Sequence, residues 1–253
     1  MSPAPCGTPS AATQAMVLHG VLPYLRSVQG RTFVVVGAGR VLGEESLRAG
    51  LARDTALLSL VGLKLVLVGS ASAGAALALA RLTDTLVGLI NQQGLRAVGV
   101  TGIDGGPGGP TGGLIQRLHA DGFVPVVMPL GADHSLADAD ALAADVAVRL
   151  GAEKLLLLGD DAGVPDRNGR EIPVLSRREA ERRCREGTLT AAALGRLRAA
   201  SAALAGGVRS VHVVDGAAPH ALLLEVLSRC GGGTLVLPDK AAGFLDDTRR
   251  SLG

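Results

Sequence analysis

Residues 32–45, TFVVVGAGRVLGEE, join an uncharged, β-branched run to a glycine turn and the start of a helix. A run such as Phe33–Val36 has no polar face. It pairs stably where helices cover both sides of a sheet, the setting of parallel strands in α/β proteins. Similar apolar runs return at Leu65–Val68, Ala97–Thr101, Pro125–Pro129, Lys154–Leu158, Ser210–Val214 and Thr234–Leu237. Helix-period segments separate them, so the βα order predicts seven or eight strands in a largely parallel, doubly covered sheet.

The helical segments follow from the same patterning. Between Thr13 and Arg26 apolar residues fall at Met16, Val17, Val21, Leu22 and Leu25, with Pro23 predicting a kink or a helix end. Glu44–Leu60 reads as one long amphipathic helix carrying Leu47, Leu51, Ala52, Leu57 and Leu58. Further helices are expected from Ala75, over Thr83–Gln92, up to Asp121, and over Asp138–Leu150, Ser176–Glu186, Thr190–Ala205 and Ala217–Ser228. Ser176 and Glu179 form a capping-box pattern, and the arginines after them read as a solvated face. Residues 102–113, rich in glycine and proline, either skirt a site or form a surface insertion. A disordered stretch is expected over residues 1–12, followed by two lobes sharing one sheet, 13–150 and 151–253.

Composition excludes several classes. Of 253 residues 47% are apolar but only 2% aromatic, so the core must be built from Ala, Val and Leu. One tyrosine, no tryptophan and a formal net charge of +2 offer neither stacking platforms nor a basic field for nucleic acid. Cys6, Cys184 and Cys230 lack any CxxC spacing, and His19, His119, His134 and His212 lack ligand spacing, so no metal site is expected. Neither a secretion signal nor a membrane span is expected: Leu65–Ala80 is uncharged but too short and too broken by Ser and Gly. A cytoplasmic protein is expected.

Parallel sheets place ligands at the C-terminal tips of their strands. The tips here are Gly37, Ala38 and Gly39 after the first strand; Gly69, Ser70 and Ala71 after the second; and Gly159, Asp160 and Asp161 after Lys154–Leu158. Glycine amides can approach an anion closely, and an acid at a tip can hold a ribose, a magnesium ion or a lysine. No lysine lies in the first turn. Phosphoryl transfer normally requires a fixed cation against the transferring oxygens.

The order of elements and five strings resemble the amino-acid kinase family, specifically its acetylglutamate kinases. The strings are LPYLRSVQGRTFVVV, RAGLARDTALLSLVGLKLVLV, LINQQGLRAVGVTGIDGG, LGAEKLLLLGDDAGVPDRNGR and GGVRSVHVVDGAAPHALLLEVL. The resemblance implies a three-layer αβα sandwich around a mainly parallel eight-stranded sheet. It also implies an N-terminal lobe for the acyl amino acid, a C-terminal lobe for ATP with Mg, and phosphorylation of N-acetylglutamate in arginine synthesis.

Measured against that family, the chain departs at the chemistry. The family's first-strand lysine falls at Val36, its His-Gly-Gly-Gly-Pro turn at Gly69–Ala73, and its second catalytic lysine at Arg196. The aspartate that orients the lysines survives as Asp140. A hairpin whose arginine grips the substrate carboxylate is expected to be missing between Leu82 and Thr83. Gly159 and Asp160 keep a nucleotide turn. The N-terminal helix resembles the arginine-sensitive branch, which forms dimers and hexamers, and places an arginine site at Tyr24, His220, Glu225 and Gly231. Three readings follow: an impaired regulatory homologue that binds arginine or nucleotide beside an active paralogue, a divergent active kinase, or a binding protein on the same fold.

Overall fold

The computed structural model describes residues 10–70, 76–101, 111–130, 136–227 and 232–241. Their elements are α1 (Ala11–Val28), β1 (Thr32–Gly37), α2 (Arg40–Gly43), α3 (Glu45–Leu60), β2 (Lys64–Gly69), α4 (Ala76–Gln92), β3 (Arg96–Thr101), α5 (Thr111–Ala120) and β4 (Phe123–Met128). There follow α6 (Ala139–Arg149), β5 (Lys154–Gly159), β6 (Val174–Ser176), α7 (Arg177–Glu186), α8 (Ala191–Ala205), β7 (Ser210–Asp215), α9 (Ala221–Leu227) and β8 (Thr234–Leu237).

The strands form one eight-stranded sheet in the order β3-β4-β2-β1-β5-β7-β8-β6. Pairing is parallel except at β7 with β8, which run antiparallel. Alternate residues of the apolar runs serve opposite layers. Val34, Val36, Val66, Val68, Leu155 and Leu157 pack with α6 and α8. Phe33, Val35, Leu65, Leu67, Leu156 and Leu158 pack with α3, α4 and α9. Each central strand therefore buries both faces, which accounts for its lack of a polar period.

Two features position the site. β1 lies between β2, which follows it through α3, and β5, which the chain enters from β4 through α6, so the strand order reverses at β1 and β5, the switch point where open sheets form a crevice. In register, Gly37 pairs with Gly69 on one side and with Leu158 on the other, bringing three strand tips together.

Some local expectations are corrected. α1 runs through Pro23 to Val28 instead of ending there. The helix expected over Glu44–Leu60 is α3, which starts after the extended Glu44 and is preceded by the short α2, but Leu57 on its expected apolar face is 46% exposed. The capping box at Ser176 and Glu179 is present. Arg183, expected on a solvated face, is buried with its guanidinium on the Pro165 carbonyl.

Candidate functional site

The three central tips form a lip. At β1 the backbone turns at Gly39 with φ +59°, and a Cβ there would lie 2.1 Å from Asp160 Oδ2, so only glycine fits beneath that carboxylate. The Arg40 N–H donates to Asp160 Oδ1 at 2.7 Å. An amide of the glycine turn, expected to face an external anion, thus already holds an internal one. The Arg40 side chain turns away to Glu44, Nε to Oε1 at 2.6 Å. Ser70 N–H donates to the Gly37 carbonyl at 2.9 Å, tying the second tip to the first.

At β5 the lip receives Arg196 from α8. The residue is 7% exposed, and its Nη1 pairs with Asp161 Oδ2 at 3.2 Å. The guanidinium lies over Gly159, where a Cβ would sit 1.7 Å from Nη2. Asp140, in the first turn of α6, approaches Gly195 of α8. Burial lifts the Asp140 carboxyl above its ordinary pKa; the Arg196 charge opposes that rise and Asp138 adds to it.

The structure therefore brings Asp140, Arg196, Gly159, Asp160, Gly37 and Gly39 to one lip, with Gly69 and Ser70 beside it. Val36, 1% exposed, is sealed beneath it in the layer shared with α6 and α8. Its methyl groups leave no charge there. The chain has only three lysines. Lys64 opens β2 and Lys154 opens β5, at the opposite end of the sheet, while Lys240 follows β8. The lip's cations are Arg40 and Arg196, facing Glu44, Asp140, Asp160 and Asp161. Among the described residues no cluster of three or more His, Cys, Asp or Glu side chains could hold a metal ion. Ala71 lies outside the described residues.

A second polar region surrounds α9. Glu225 is 7% exposed and sits beneath the helix. His212 Nδ1 lies 2.5 Å from Glu225 Oε1, and Ser210 Oγ lies 3.1 Å from His212 Nε2. Burial holds the His212 ring below its ordinary pKa, with Glu225 opposing that shift. The neutral ring then donates from Nδ1 to the carboxylate and accepts the Ser210 hydroxyl at Nε2. The connectivity is that of a hydrolase triad, but Ser210 opens β7 at the end of the sheet away from the lip and is 9% exposed. It serves as a core tie.

Among the described residues Glu225 Oε2 is buried without a hydrogen-bond partner. Glu225 also lines a cavity of about 180 Å³ with Glu171, Asp215, Gly232 and Gly233. His220, at φ 59°, instead bonds the buried Asp54, Nδ1 to Oδ1 at 2.7 Å, and lines a different cavity between α3 and the segment leading into α9. His220 and Glu225 thus face separate cavities. Tyr24 lies on α1, which packs against α9. Gly231 lies outside the described residues. Sequence reading missed the role of Asp54, and it placed Asp161 at the tip without its partner Arg196; the visible signal for the His212 tie was Ser-x-His on one face of an otherwise apolar strand.

The sequence profile of the amino acid kinase family matches residues 24–215. This chain belongs to the amino acid kinase family. It is 34% identical over 284 residues to the acetylglutamate kinase of Halorhodospira halophila, covering 88% of this chain and 95% of that protein. The acetylglutamate kinase of Paracidovorax citrulli is 33% identical over 282 residues, covering 88% of this chain and 95% of that protein. Aligned lengths above the chain's own 253 residues mean that these relatives carry tracts this chain lacks. α4 runs unbroken through Leu82 and Thr83, where a shortening is expected.

Among solved structures, the N-acetylglutamate synthase of Neisseria gonorrhoeae, complexed with coenzyme A and N-acetyl-glutamate, superposes with a TM-score of 0.79 at 24% identity. It shares the fold. The match covers 89% of this chain and 63% of the synthase chain.

Proposed function

We propose that this acetylglutamate kinase homologue serves arginine synthesis as a binding and regulatory protein in which phosphoryl transfer is impaired. The observation that carries the reading is the state of the lip. A hydrocarbon, Val36, occupies the position of the family's first lysine, and a carboxylate, Asp160, occupies the Arg40 amide. Removing a single preorganised charge-stabilising donor typically costs about 10²–10³ in rate. These residues fit a bound nucleotide with its own Mg better than a transferring phosphoryl group. Arg196 would face the phosphates, and the acids Asp160 and Asp161 would lie near the ion that the nucleotide brings.

Arginine is the proposed regulatory ligand. The Glu225 cavity supports it, since an unpartnered carboxylate oxygen with Glu171 and Asp215 suits a guanidinium or ammonium group. Tyr24 and Gly231 belong to the same proposed site, whereas His220, committed to Asp54, would act from outside it. Within this reading residues 13–150 form the acyl-amino-acid lobe and 151–253 the nucleotide lobe. α1 would join copies into a dimer or hexamer, or join this chain to an active paralogue.

A second reading is a divergent active kinase acting on N-acetylglutamate with ATP. The proximity of Asp140 to Arg196 favours it, since that pair retains one organised cation. Parallel calorimetric titrations with arginine, MgATP and N-acetylglutamate, combined with a phosphoryl-transfer assay, separate the two. Arginine binding without turnover is expected. Turnover of about 1–100 per second would sink the regulatory reading in favour of the active kinase.

A further inference from the structure

We propose that Asp161 is a positioning residue that latches the Arg196 guanidinium, so that the lip's most deeply anchored cation is withheld from an incoming phosphate by the chain's own carboxylate. The inference rests on the proposed reading of Arg196 as a phosphate-facing group. The Arg196 stem is enclosed between α8 and the β5 tip at 7% exposure, so its head has few places to go. Of the groups within reach, Asp140 is the acid on the α6 side and Asp161 is the one that pairs with Nη1, at 3.2 Å.

The position of the head matters as much as its charge. The guanidinium is laid against Gly159, filling the space that any side chain there would need. A phosphate arriving over the β5 tip meets a cation already paired and packed against the strand end. Asp161 is held in place because its neighbour is fixed: Asp160 is tied to the Arg40 amide at 2.7 Å, which anchors the turn on which both acids stand.

The pair is built to open. The Arg196 side chain is 9% exposed but the Asp161 side chain is 49% exposed, and a half-exposed pair is weak and screened by salt. A ligand with several negative charges on one group, such as a polyphosphate, can outcompete a single carboxylate without unfolding the turn. The latch therefore sets a threshold that admits polyphosphates and excludes singly charged anions.

Asp161→Asn in the full chain tests this, because it preserves shape while removing the charge. One readout is the rate at which phenylglyoxal modifies Arg196, followed by peptide mass spectrometry; the other is tripolyphosphate affinity by calorimetry. Modification several-fold faster is expected, with affinity about five-fold tighter, the size expected from losing one half-exposed pair. Asp161→Glu should restore slow modification, and Arg196→Gln on the Asp161→Asn background should abolish the affinity gain. Equal modification rates in wild type and Asp161→Asn, or an affinity gain that survives loss of Arg196, would overturn the latch. Faster modification with no tripolyphosphate binding by either protein would uphold the latch and overturn the nucleotide part of the proposed function.

Discussion

The lip and the region beneath α9 each pair a carboxylate with a nitrogen base, but they distribute exposure differently. At the lip the base is buried and the acid half open: the Arg196 and Asp161 side chains are 9% and 49% exposed. Beneath α9 both partners are enclosed, the His212 and Glu225 side chains being 10% and 7% exposed. The first arrangement can be opened by solvent or ligand at low cost. The second cannot, since parting its members strands polar groups where water does not reach. One region is suited to exchange partners; the other holds β7 to α9 beside the cavity that Glu225 lines.

The largest expected effect breaks the closed pair. Glu225→Ala should destabilise the fold by about 2–4 kcal/mol, because it removes a hydrogen bond to a charged group and strands the His212 ring. Glu225→Gln, which keeps an acceptor oxygen, should cost roughly 1 kcal/mol while still removing the charge that the arginine reading requires. Chemical denaturation gives both values. If the two variants lose the same stability, the charge that both remove, and neither packing nor the hydrogen bond to His212, carries the effect, and the contrast with the lip fails. At the lip, Asp161→Ala should change stability by less than about 1 kcal/mol, as expected for a half-exposed partner. A loss as large as that of Glu225→Ala would show that the lip is as closed as the α9 region.

Between these lies Val36→Lys. Restoring the lysine alone places an ammonium in an apolar layer with Val34, Val66 and α6, so a loss of a few kcal/mol is expected without recovery of phosphoryl transfer. Recovered turnover would mean that Val36 by itself separates this chain from an active kinase, and that the carboxylate on the Arg40 amide is no obstacle.

The contrast also marks what could be read from sequence. The strands were legible because a continuous run such as Leu155–Leu158 admits few other placements, and the tips followed from the glycines that end them. The capping box of α7 was equally local. Less legible were features that depend on long-range meeting. Asp160 lies 120 positions from the Arg40 amide it accepts from, and Asp54 lies 166 positions from His220; no spacing rule connects them. β8 was legible as a strand but its antiparallel direction was not, because direction is set by what a strand packs beside; the three-residue β6 is too short to show a pattern of its own. Within the lip, Gly39 and Asp160 were legible singly, but their mutual occupation was not.

The smallest expected effect is a pH dependence that belongs to the buried histidines. Burial holds both His212 and His119 below the ordinary value of 6.5. The unfolded chain therefore takes up protons near pH 6.5 that the folded chain refuses, so their stabilising contribution is present above that pH and is lost as the pH falls below it. Asp54 and Asp140 work the other way. Burial raises both above 3.8, so their folded forms protonate first and their cost is relieved as the pH falls through the raised values. Between pH 7.5 and 6 the histidines dominate, and stability should decline on acidification. His212→Gln should flatten that decline, whereas Asp161→Asn should leave it unchanged. An unaltered slope in His212→Gln would place the dependence on His119, whose Nε2 lies 3.1 Å from the Leu65 carbonyl under α5, and His119→Gln would then remove it. A slope that moves with Asp161→Asn would instead tie the lip to the fold's proton uptake and erase the difference between a pair that opens and a pair that holds.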